Sequence, residues 1–276
     1  MDPITAQGMH MPKLGLGTWR LKGAECAEAV QRALGLGYRH IDTAEMYGNE
    51  EGVGEGIVGG GVARGDIHLT TKVWYENLGA DAMQRSVETS LRKLRTDYVD
   101  LYLIHWPAPQ MDLPAALHNL MRVKEQGLAR AIGVSNFPIA LLRRALDEVG
   151  APIACNQFEY HVLLGQDALV DFARSRGVAV TAYAPLAQGR LAEQPELRAM
   201  AEKHGATPAQ VALKWLLDQD GVAAIPKASR RETQLANLDA IRIELDDTDR
   251  AAIASTSAAP GWLSRMSSPV PQVESW

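Results

Sequence analysis

Four ionisable side chains lie at or just beyond the ends of three consecutive apolar segments. Asp42 and Tyr47 follow the first segment, which begins at Tyr38. Lys72 ends the second segment, and His105 ends the third. A phenol is a reluctant proton donor because its ordinary pKa is about 10, but an ammonium about 4 Å away favours the phenolate by up to about 4 kcal/mol at an effective dielectric of 20. These residue types therefore indicate one active site built for proton transfer, in which a carboxylate holds the ammonium.

The segments that carry these groups belong to a regular alternation of strands and helices. The predicted strands are apolar throughout rather than alternating, as expected for a parallel sheet that is covered on its faces. They span residues 13–17, 38–42, 67–72, 99–105, 129–134, 153–158, 178–184 and 222–225. Helices are predicted at 24–36, 49–58, 80–94, 113–126, 138–149, 168–176 and 231–238, and a helical pair precedes the last strand. Eight such units predict an α/β fold of the closed (β/α)8 TIM barrel type, with an open doubly wound sheet as the alternative.

The chain of 276 residues contains no linker-like break. We expect residues 1–276 to form a single barrel domain with extra helices late in the chain, because α/β barrels reach about 250 residues as one unit. The residues before 13 are predicted to be an irregular lead-in. Residues 259–276 form a tail rich in Pro and Ser, which is predicted to be a loop over the barrel mouth.

The composition argues against several classes of function. A net charge of −5 and a pI near 5.8 are not those of a general nucleic-acid or membrane-surface binder. Cys26 and Cys155 provide neither a disulfide framework nor the spacing of metal ligands, so no metal site is predicted. No apolar run approaches the roughly 18 residues of a membrane span, and no signal-sequence pattern begins the chain. We therefore expect a cytoplasmic protein with two reduced thiols.

Polar residues recur at the carboxyl ends of the predicted strands. In a barrel those ends converge on one face, which is where active sites are built. Scattered surface residues would not follow strand ends so consistently. The residues concerned are Asp42, Lys72, His105, Ser135, Asn136, Gln157, Tyr183 and Lys227.

Short motifs at these strand ends resemble those of the aldo-keto reductases, from about residue 13 to about residue 245. Within that family, residues 94–101 and the short loop after Trp106 are most similar to the bacterial 2,5-diketo-D-gluconate reductases, in particular to the B type, which is also known as a methylglyoxal reductase. The motifs are Gly15-Leu16-Gly17-Thr18-Trp19, Ile41-Asp42-Thr43-Ala44 with Tyr47 and Asn49-Glu50, Thr71-Lys72-Val73-Trp74, Leu103-Ile104-His105-Trp106-Pro107, Ile132-Gly133-Val134-Ser135-Asn136-Phe137, Asn156-Gln157, Ala182-Tyr183-Ala184-Pro185-Leu186 and Ile225-Pro226-Lys227.

The resemblance implies a monomeric barrel enzyme that reduces aldehydes and ketones to alcohols with NADPH. Tyr47 would be the general acid that protonates the developing alkoxide, assisted by Lys72, which Asp42 would hold in position. His105 would be a neutral donor that orients the carbonyl oxygen. The short loops suggest an open pocket for small polar carbonyls such as methylglyoxal or keto sugars. Its predicted walls are Trp19, Trp74, His105 and Trp106, together with the tail.

The resemblance also implies a cofactor site. Ser135, Asn136 and Gln157 would bind the carboxamide, and Tyr183 would stack on the nicotinamide. The loop 185–189 would follow the pyrophosphate, and a basic cluster after the last strand would bind the 2′-phosphate. The full predicted set is Thr18, Trp19, Ser135, Asn136, Gln157, Tyr183, Pro185, Leu186, Gln188, Gly189, Lys227, Ala228, Ser229, Arg230, Thr233 and Asn237.

The basic cluster departs from the family pattern. Many members have Ser after the Lys that corresponds to Lys227, Arg six residues after it and Glu three residues later. This chain has Ala228, Thr233 and Ala236 at those positions, and only the following Asn237 is retained. We expect Arg230 to replace the missing arginine.

Residues 54–59 match the GxGxxG pattern of dinucleotide-binding folds, but they lie inside a predicted helix rather than in a turn between a strand and a helix. We therefore interpret these glycines as structural. One alternative function stays open, namely a regulatory or structural protein that binds the cofactor on the same barrel with little turnover. The presence of all four catalytic residue types favours the enzyme.

Overall fold

The computed structural model describes residues 1–108 and 110–256. The chain begins with an antiparallel hairpin of strands β1 (Ile4–Ala6) and β2 (Met9–Met11). The prediction of an irregular lead-in was therefore wrong. Gln7 and Gly8 both have positive φ angles, 46° and 80°, as a two-residue type I′ hairpin turn requires. The hairpin strands were missed because three residues are too few to show an alternating pattern.

Eight parallel strands follow and lie side by side in the order of the chain. The first and last strands of the barrel are also joined, by parallel bridges of Leu14 with Ala224 and of Gly17 with Lys227. The sheet therefore closes on itself. The (β/α)8 barrel is confirmed, and the open doubly wound sheet is excluded. The strands are β3 Leu16–Gly17, β4 His40–Asp42, β5 His68–Val73, β6 Val99–Ile104, β7 Ala129–Ser135, β8 Ile153–Glu159, β9 Ala179–Tyr183 and β10 Val222–Ala224.

Helices surround the barrel. The extra helices expected late in the chain are present as α7 (Pro195–Lys203) and α10 (Asp247–Thr256). One predicted helix is divided, because α5 continues as a π-helical turn over Arg144–Glu148. The α-helices are α1 Gly23–Leu36, α2 Glu50–Gly59, α3 Ala80–Leu94, α4 Leu113–Glu125, α5 Ile139–Arg143, α6 Asp167–Ser175, α7 Pro195–Lys203, α8 Pro208–Asp218, α9 Arg231–Asp239 and α10 Asp247–Thr256. Short 3₁₀ segments span Glu45–Tyr47, Arg64–Asp66, Tyr75–Asn77, Ala187–Glu193 and Ala240–Arg242.

The barrel has an inner and an outer apolar core. Met9 and Met11 of the hairpin belong to one buried cluster with Leu101, Leu103 and other inward-facing strand residues, so the hairpin covers the amino-terminal end of the barrel. The outer core lies between the strands and the helices. Both cysteines are buried free thiols, as expected.

The glycines of α2 permit close packing of helices. A Cβ atom at Gly56 would lie 2.6 Å from the backbone oxygen of Ala27 in α1, and one at Gly54 would collide with the backbone oxygen of Lys93 in α3. The GxGxxG match therefore reflects helix packing.

The tail 259–276, predicted to close the barrel mouth, lies outside the described residues. Within residues 1–108 and 110–256, no helix combines the length and the apolar content that crossing a membrane requires.

Candidate active site

Lys72 joins Asp42 and Tyr47 at the carboxyl ends of the first strands. Its Nζ atom lies 2.6 Å from Asp42 Oδ1 and 3.4 Å from the Tyr47 hydroxyl, and it donates a further hydrogen bond of 2.8 Å to the backbone oxygen of Thr43. Asp42 and Lys72 are both buried. Strands β4 and β5 pair Asp42 with Thr70, which brings Lys72, two residues further along β5, to the same end of the barrel.

The electrostatics of this group differ from the expectation for an isolated phenol–ammonium pair. Burial lowers the pKa of Lys72, and the Asp42 carboxylate opposes that shift. Burial, followed by the charge of Asp42, raises the pKa of Tyr47 well above its usual value. The expected acidification of Tyr47 by Lys72 is therefore absent, chiefly because the phenol is buried. Tyr47 therefore keeps its proton, as an acid must before it reacts.

Hydrogen bonds fix the turn that carries Tyr47. Asn49 Nδ2 donates to the backbone oxygen of Thr18 over 2.8 Å, and the Thr43 hydroxyl donates to Asn49 Oδ1 over 2.9 Å. Lys22 Nζ donates to the backbone oxygen of Tyr47 over 2.7 Å. Asn49 was quoted as part of a sequence motif, but this bracing role was not predicted. The hydrogen-bond partners of Asn49 depend on the conformation of the loops.

His105 faces the same space. Its ring centroid lies 5.5 Å from that of Tyr47 and 5.3 Å from that of Trp74. Burial, followed by the charge of Lys72, lowers the pKa of His105 well below its usual value. The imidazole is therefore neutral near pH 7, as expected. Its Nδ1 atom is buried and has no hydrogen-bond partner among the described residues.

The predicted carboxamide-binding residues lie beside the predicted catalytic group. Gln157 Nε2 donates to Asp42 Oδ2 over 2.7 Å, and the Ser135 hydroxyl donates to the backbone oxygen of Gln157 over 2.8 Å. Asn136, which has a left-handed φ of 62°, accepts a hydrogen bond of 2.9 Å from the Tyr183 hydroxyl at its Oδ1 atom. Asn136 Nδ2 donates to Ser135 Oγ over 3.0 Å, so one network connects these four residues to the Asp42 carboxylate.

A cavity of about 590 Å³ lies above these groups. It is lined by three of the four predicted catalytic residues, Asp42, Tyr47 and His105, whereas Lys72 does not line it. Six lining residues were not among the predicted site residues. Four of them, Gly17, Ala184, Ile225 and Pro226, belong to the motifs quoted above, whereas Arg20 and Met46 lie next to motif residues and had no signal of their own. The predicted cofactor and substrate residues that line the cavity are Thr18, Trp19, Trp74, His105, Trp106, Asn136, Gln157, Tyr183, Pro185, Leu186, Gln188, Gly189 and Lys227.

The remaining predicted cofactor residues do not line this cavity. Lys227 marks its edge, and the chain continues through the exposed Arg230 into α9. Among the described residues, neither of these two cations forms an ion pair. Arg32 of α1, which was not predicted, donates a hydrogen bond of 2.6 Å to the backbone oxygen of Ser229 and so braces this loop. Ala228 and Asn237 are buried, and Ser229 and Thr233 are partly buried.

Comparisons with known proteins agree with this geometry. The sequence model described as the aldo/keto reductase family matches residues 13–258. The chain is 44% identical to methylglyoxal reductase DkgB of Salmonella typhi over 250 residues, which cover 90% of this chain and 93% of that protein. The crystal structure of a protein assigned as a 2,5-diketo-D-gluconic acid reductase B superposes with a TM-score of 0.91 at 40% identity, covering 94% of this chain and 92% of that chain.

The crystal structure of an aldo/keto reductase from Brucella melitensis superposes with a TM-score of 0.88 at 42% identity, and the match covers 93% of this chain and 99% of that chain. Fold, site and sequence therefore agree. This chain belongs to the aldo/keto reductase family, whose members reduce carbonyl compounds with nicotinamide cofactors, and it is an oxidoreductase.

Proposed function

We propose that this protein reduces small polar aldehydes and ketones, such as methylglyoxal or keto sugars, to alcohols with NADPH, and that Tyr47 is the general acid. The observation that carries the proposal is the contact of one buried ammonium, Lys72 Nζ, with both Asp42 and the Tyr47 hydroxyl. The similarity to a methylglyoxal reductase supports the substrate class.

The proposed reaction moves one proton from Tyr47. NADPH supplies a hydride to the carbonyl carbon when it is bound. As the C=O π bond breaks, the oxygen gains basicity and takes the hydroxyl proton of Tyr47. An alkoxide is about as basic as hydroxide, whose conjugate acid has a pKa of about 15.7, so a phenol with a raised pKa can still protonate it. The phenolate that remains faces the ammonium of Lys72, which stabilises it until a proton from water restores the phenol.

His105 has a separate proposed role. A neutral imidazole can donate a hydrogen bond to the carbonyl oxygen without placing a second positive charge beside Lys72. The lowered pKa of His105 supports this role, because a charged ring would be costly in a buried site next to an ammonium. Tyr47 and His105, whose rings lie edge to face, would then approach the same oxygen atom from two sides.

The residues around the cavity fit a nicotinamide cofactor. Asn136, Gln157 and Tyr183 present amide and aromatic groups at its floor, next to the Asp42 carboxylate. Lys227 and Arg230, which have no carboxylate partner among the described residues, suit a phosphate at its edge. We propose that these two cations, with Ser229, Thr233 and Asn237, give the preference for NADPH over NADH.

The walls of the cavity support small substrates. Trp19, Trp74 and Trp106 surround the space above Tyr47, and the ring centroids of Trp19 and Tyr47 lie 4.7 Å apart. Large aromatic walls exclude water and leave the Tyr47 hydroxyl and the His105 imidazole as the polar groups near the carbonyl. A compact carbonyl compound can therefore reach Tyr47 without displacing the walls.

Replacing Tyr47 with Phe tests the assignment. Turnover, followed as NADPH oxidation with methylglyoxal or a nitrobenzaldehyde, should fall by roughly 10²–10⁴-fold, which is the usual contribution of a general acid. NADPH affinity, measured by fluorescence titration, should stay nearly unchanged because the hydroxyl acts on the substrate oxygen. Near-normal rates in this variant would overturn the role of Tyr47. Cofactor binding without turnover in the wild-type protein would instead favour the regulatory alternative.

A further inference from the structure

The carboxylate of Glu45 connects the catalytic turn to two other elements. Glu45 lies two residues before Tyr47 on the 3₁₀ turn. Its Oε1 atom accepts hydrogen bonds from the backbone N–H of Trp74 and, over 3.1 Å, from Asn77 Nδ2. Its Oε2 atom accepts a hydrogen bond from the Ser86 hydroxyl of α3. One side chain therefore joins the turn, the loop after β5 and the helix α3.

The network reaches the barrel wall. Ser86 Oγ lies 3.2 Å from the hydroxyl of Tyr102, which is fully buried on β6. Ser86 and Tyr102 are buried residues of the helix α3 and the strand β6, whereas Trp74 and Tyr47 belong to connecting segments. Glu45 thus anchors the Tyr47 turn and the Trp74 loop to helix α3, which packs against the barrel.

The two anchored segments carry rings that contact the same imidazole. The ring centroids of Trp74 and Tyr47 lie 5.3 and 5.5 Å from that of His105, and both contacts are edge to face. If the loop after β5 separated from the turn, the Trp74 wall and the Tyr47 hydroxyl would lose their fixed relation to His105. Such a loss would affect carbonyl binding and proton transfer but not the cofactor residues on β7, β8 and β9.

We propose that Glu45 is a positioning residue, which holds Trp74 and Tyr47 in the arrangement that carbonyl reduction needs. This inference rests on the proposed function, since it assigns Glu45 to the same site. Glu45 acts through its hydrogen bonds and does not touch the substrate.

The hydrogen-bond roles around Glu45 predict which substitutions are tolerated. Trp74 and Asn77 donate to one carboxylate oxygen, and an amide oxygen could accept both bonds. The Ser86 hydroxyl can accept as well as donate, so it could receive a hydrogen bond from an amide nitrogen. Glu45→Gln should therefore preserve the network without the charge, whereas Glu45→Ala should remove it.

The kinetic test compares Glu45→Ala, Glu45→Gln and the control Glu51→Ala, which changes an exposed glutamate of the neighbouring helix. With methylglyoxal, kcat/KM of Glu45→Ala should fall by roughly 10- to 100-fold, because a misplacement of about 1 Å can cost about 10²-fold. Glu45→Gln and Glu51→Ala should stay near the wild-type value. The dissociation constant for NADPH should be unchanged in all three variants.

A second measurement does not depend on turnover. Hydrogen exchange of the Trp74 amide, followed by NMR, should be at least about 10-fold faster in Glu45→Ala than in the wild-type protein or Glu45→Gln, because the amide loses its acceptor. Unchanged exchange at Trp74 in Glu45→Ala would overturn the inference, and so would unchanged kcat/KM in an active enzyme. A parallel loss of NADPH affinity would also overturn it, since it would show general structural damage. Absence of wild-type turnover with faster Trp74 exchange would refute the proposed function while supporting the anchoring by Glu45.

Discussion

Lowering the pH from 7.5 to 5.5 should destabilise this protein through three buried histidines. His40 and His68 begin strands β4 and β5 at the amino-terminal end of the barrel, where their ring centroids lie 4.8 Å apart. Burial lowers the pKa of His40, and it lowers those of His68 and His105 well below the usual value. The charge of Asp42 opposes the shift at His40, and the charge of Lys72 adds to the shift at His105.

The sign and size of the effect follow from proton linkage. His68 and His105 stay neutral in the folded protein and His40 resists protonation there, whereas each ring takes up a proton in the unfolded chain as the pH falls below about 6.5. The unfolded state then binds more protons, so the stability that is fully present above that pH is lost as the pH falls. A histidine that stays neutral in the folded protein lowers the free energy of unfolding by RT ln(1 + 10^(6.5 − pH)), which is about 1.4 kcal/mol at pH 5.5. Three such histidines lower it by up to about 4 kcal/mol, compared with a typical total of about 5–15 kcal/mol. Glu50, whose pKa is raised by burial, opposes part of this loss because its folded carboxyl takes up a proton more readily.

Urea denaturation at the two pH values and constant ionic strength measures this loss. The free energy of unfolding should fall by up to about 4 kcal/mol in the wild-type protein, and by about 1.4 kcal/mol less in His105→Asn, which lacks one of the three rings. No decrease in the wild-type protein would refute the argument. Equal decreases in both proteins would exclude the contribution of His105.

Three further substitutions test other parts of the structure. Lys72→Met should lower kcat by roughly 10²–10³-fold, because it removes the charge that stabilises the Tyr47 phenolate, and fluorescence titration should show unchanged NADPH affinity. Arg230→Met should weaken binding of 2′,5′-ADP by about 10-fold or more, since one charge-assisted hydrogen bond contributes about 1.5–3 kcal/mol. Binding of 5′-ADP, which lacks the 2′-phosphate, should not change. Calorimetry measures both affinities, and an equal loss for the two ligands would contradict the 2′-phosphate role. Gly54→Ala should lower the free energy of unfolding by about 1–3 kcal/mol, because the new Cβ atom would collide with the Lys93 backbone. Urea denaturation measures this loss. Gly65→Ala is the control, since a Cβ atom at Gly65 meets open space.

The proximity of the proposed catalytic residues was predictable from sequence because barrel topology brings strand ends together. Once Asp42, Lys72 and His105 are placed at the ends of consecutive parallel strands, their proximity follows from the closure of the sheet. The raised pKa of Tyr47 could not be predicted in the same way. The sequence identifies Lys72 as its neighbour, but the depth of burial and the balance between Lys72 and Asp42 depend on side-chain positions.

The bracing interactions were also beyond prediction. Glu45 and Arg32 bind backbone groups of residues that are distant in the chain, and a backbone N–H or C=O has no signature in the amino-acid sequence. The hydrogen bond from Arg32 to Ser229 spans 197 residues. Such contacts become visible only when the conformations of the loops are known.

The hydrogen bond between Gln157 and Asp42 gives the cavity floor a defined polarity. A carboxylate only accepts hydrogen bonds, so Asp42 fixes the Gln157 amide with its nitrogen toward the carboxylate. The amide oxygen is then held on the opposite side as an acceptor, while the second N–H of the nitrogen remains as a donor. The fixed oxygen favours a group that can donate a hydrogen bond, such as a primary amide, over a carboxylate, which would bring negative charge toward an acceptor that cannot rotate away. If Gln157 binds the carboxamide as proposed, the same carboxylate that holds Lys72 gives the site a means to distinguish a nicotinamide from a nicotinic acid.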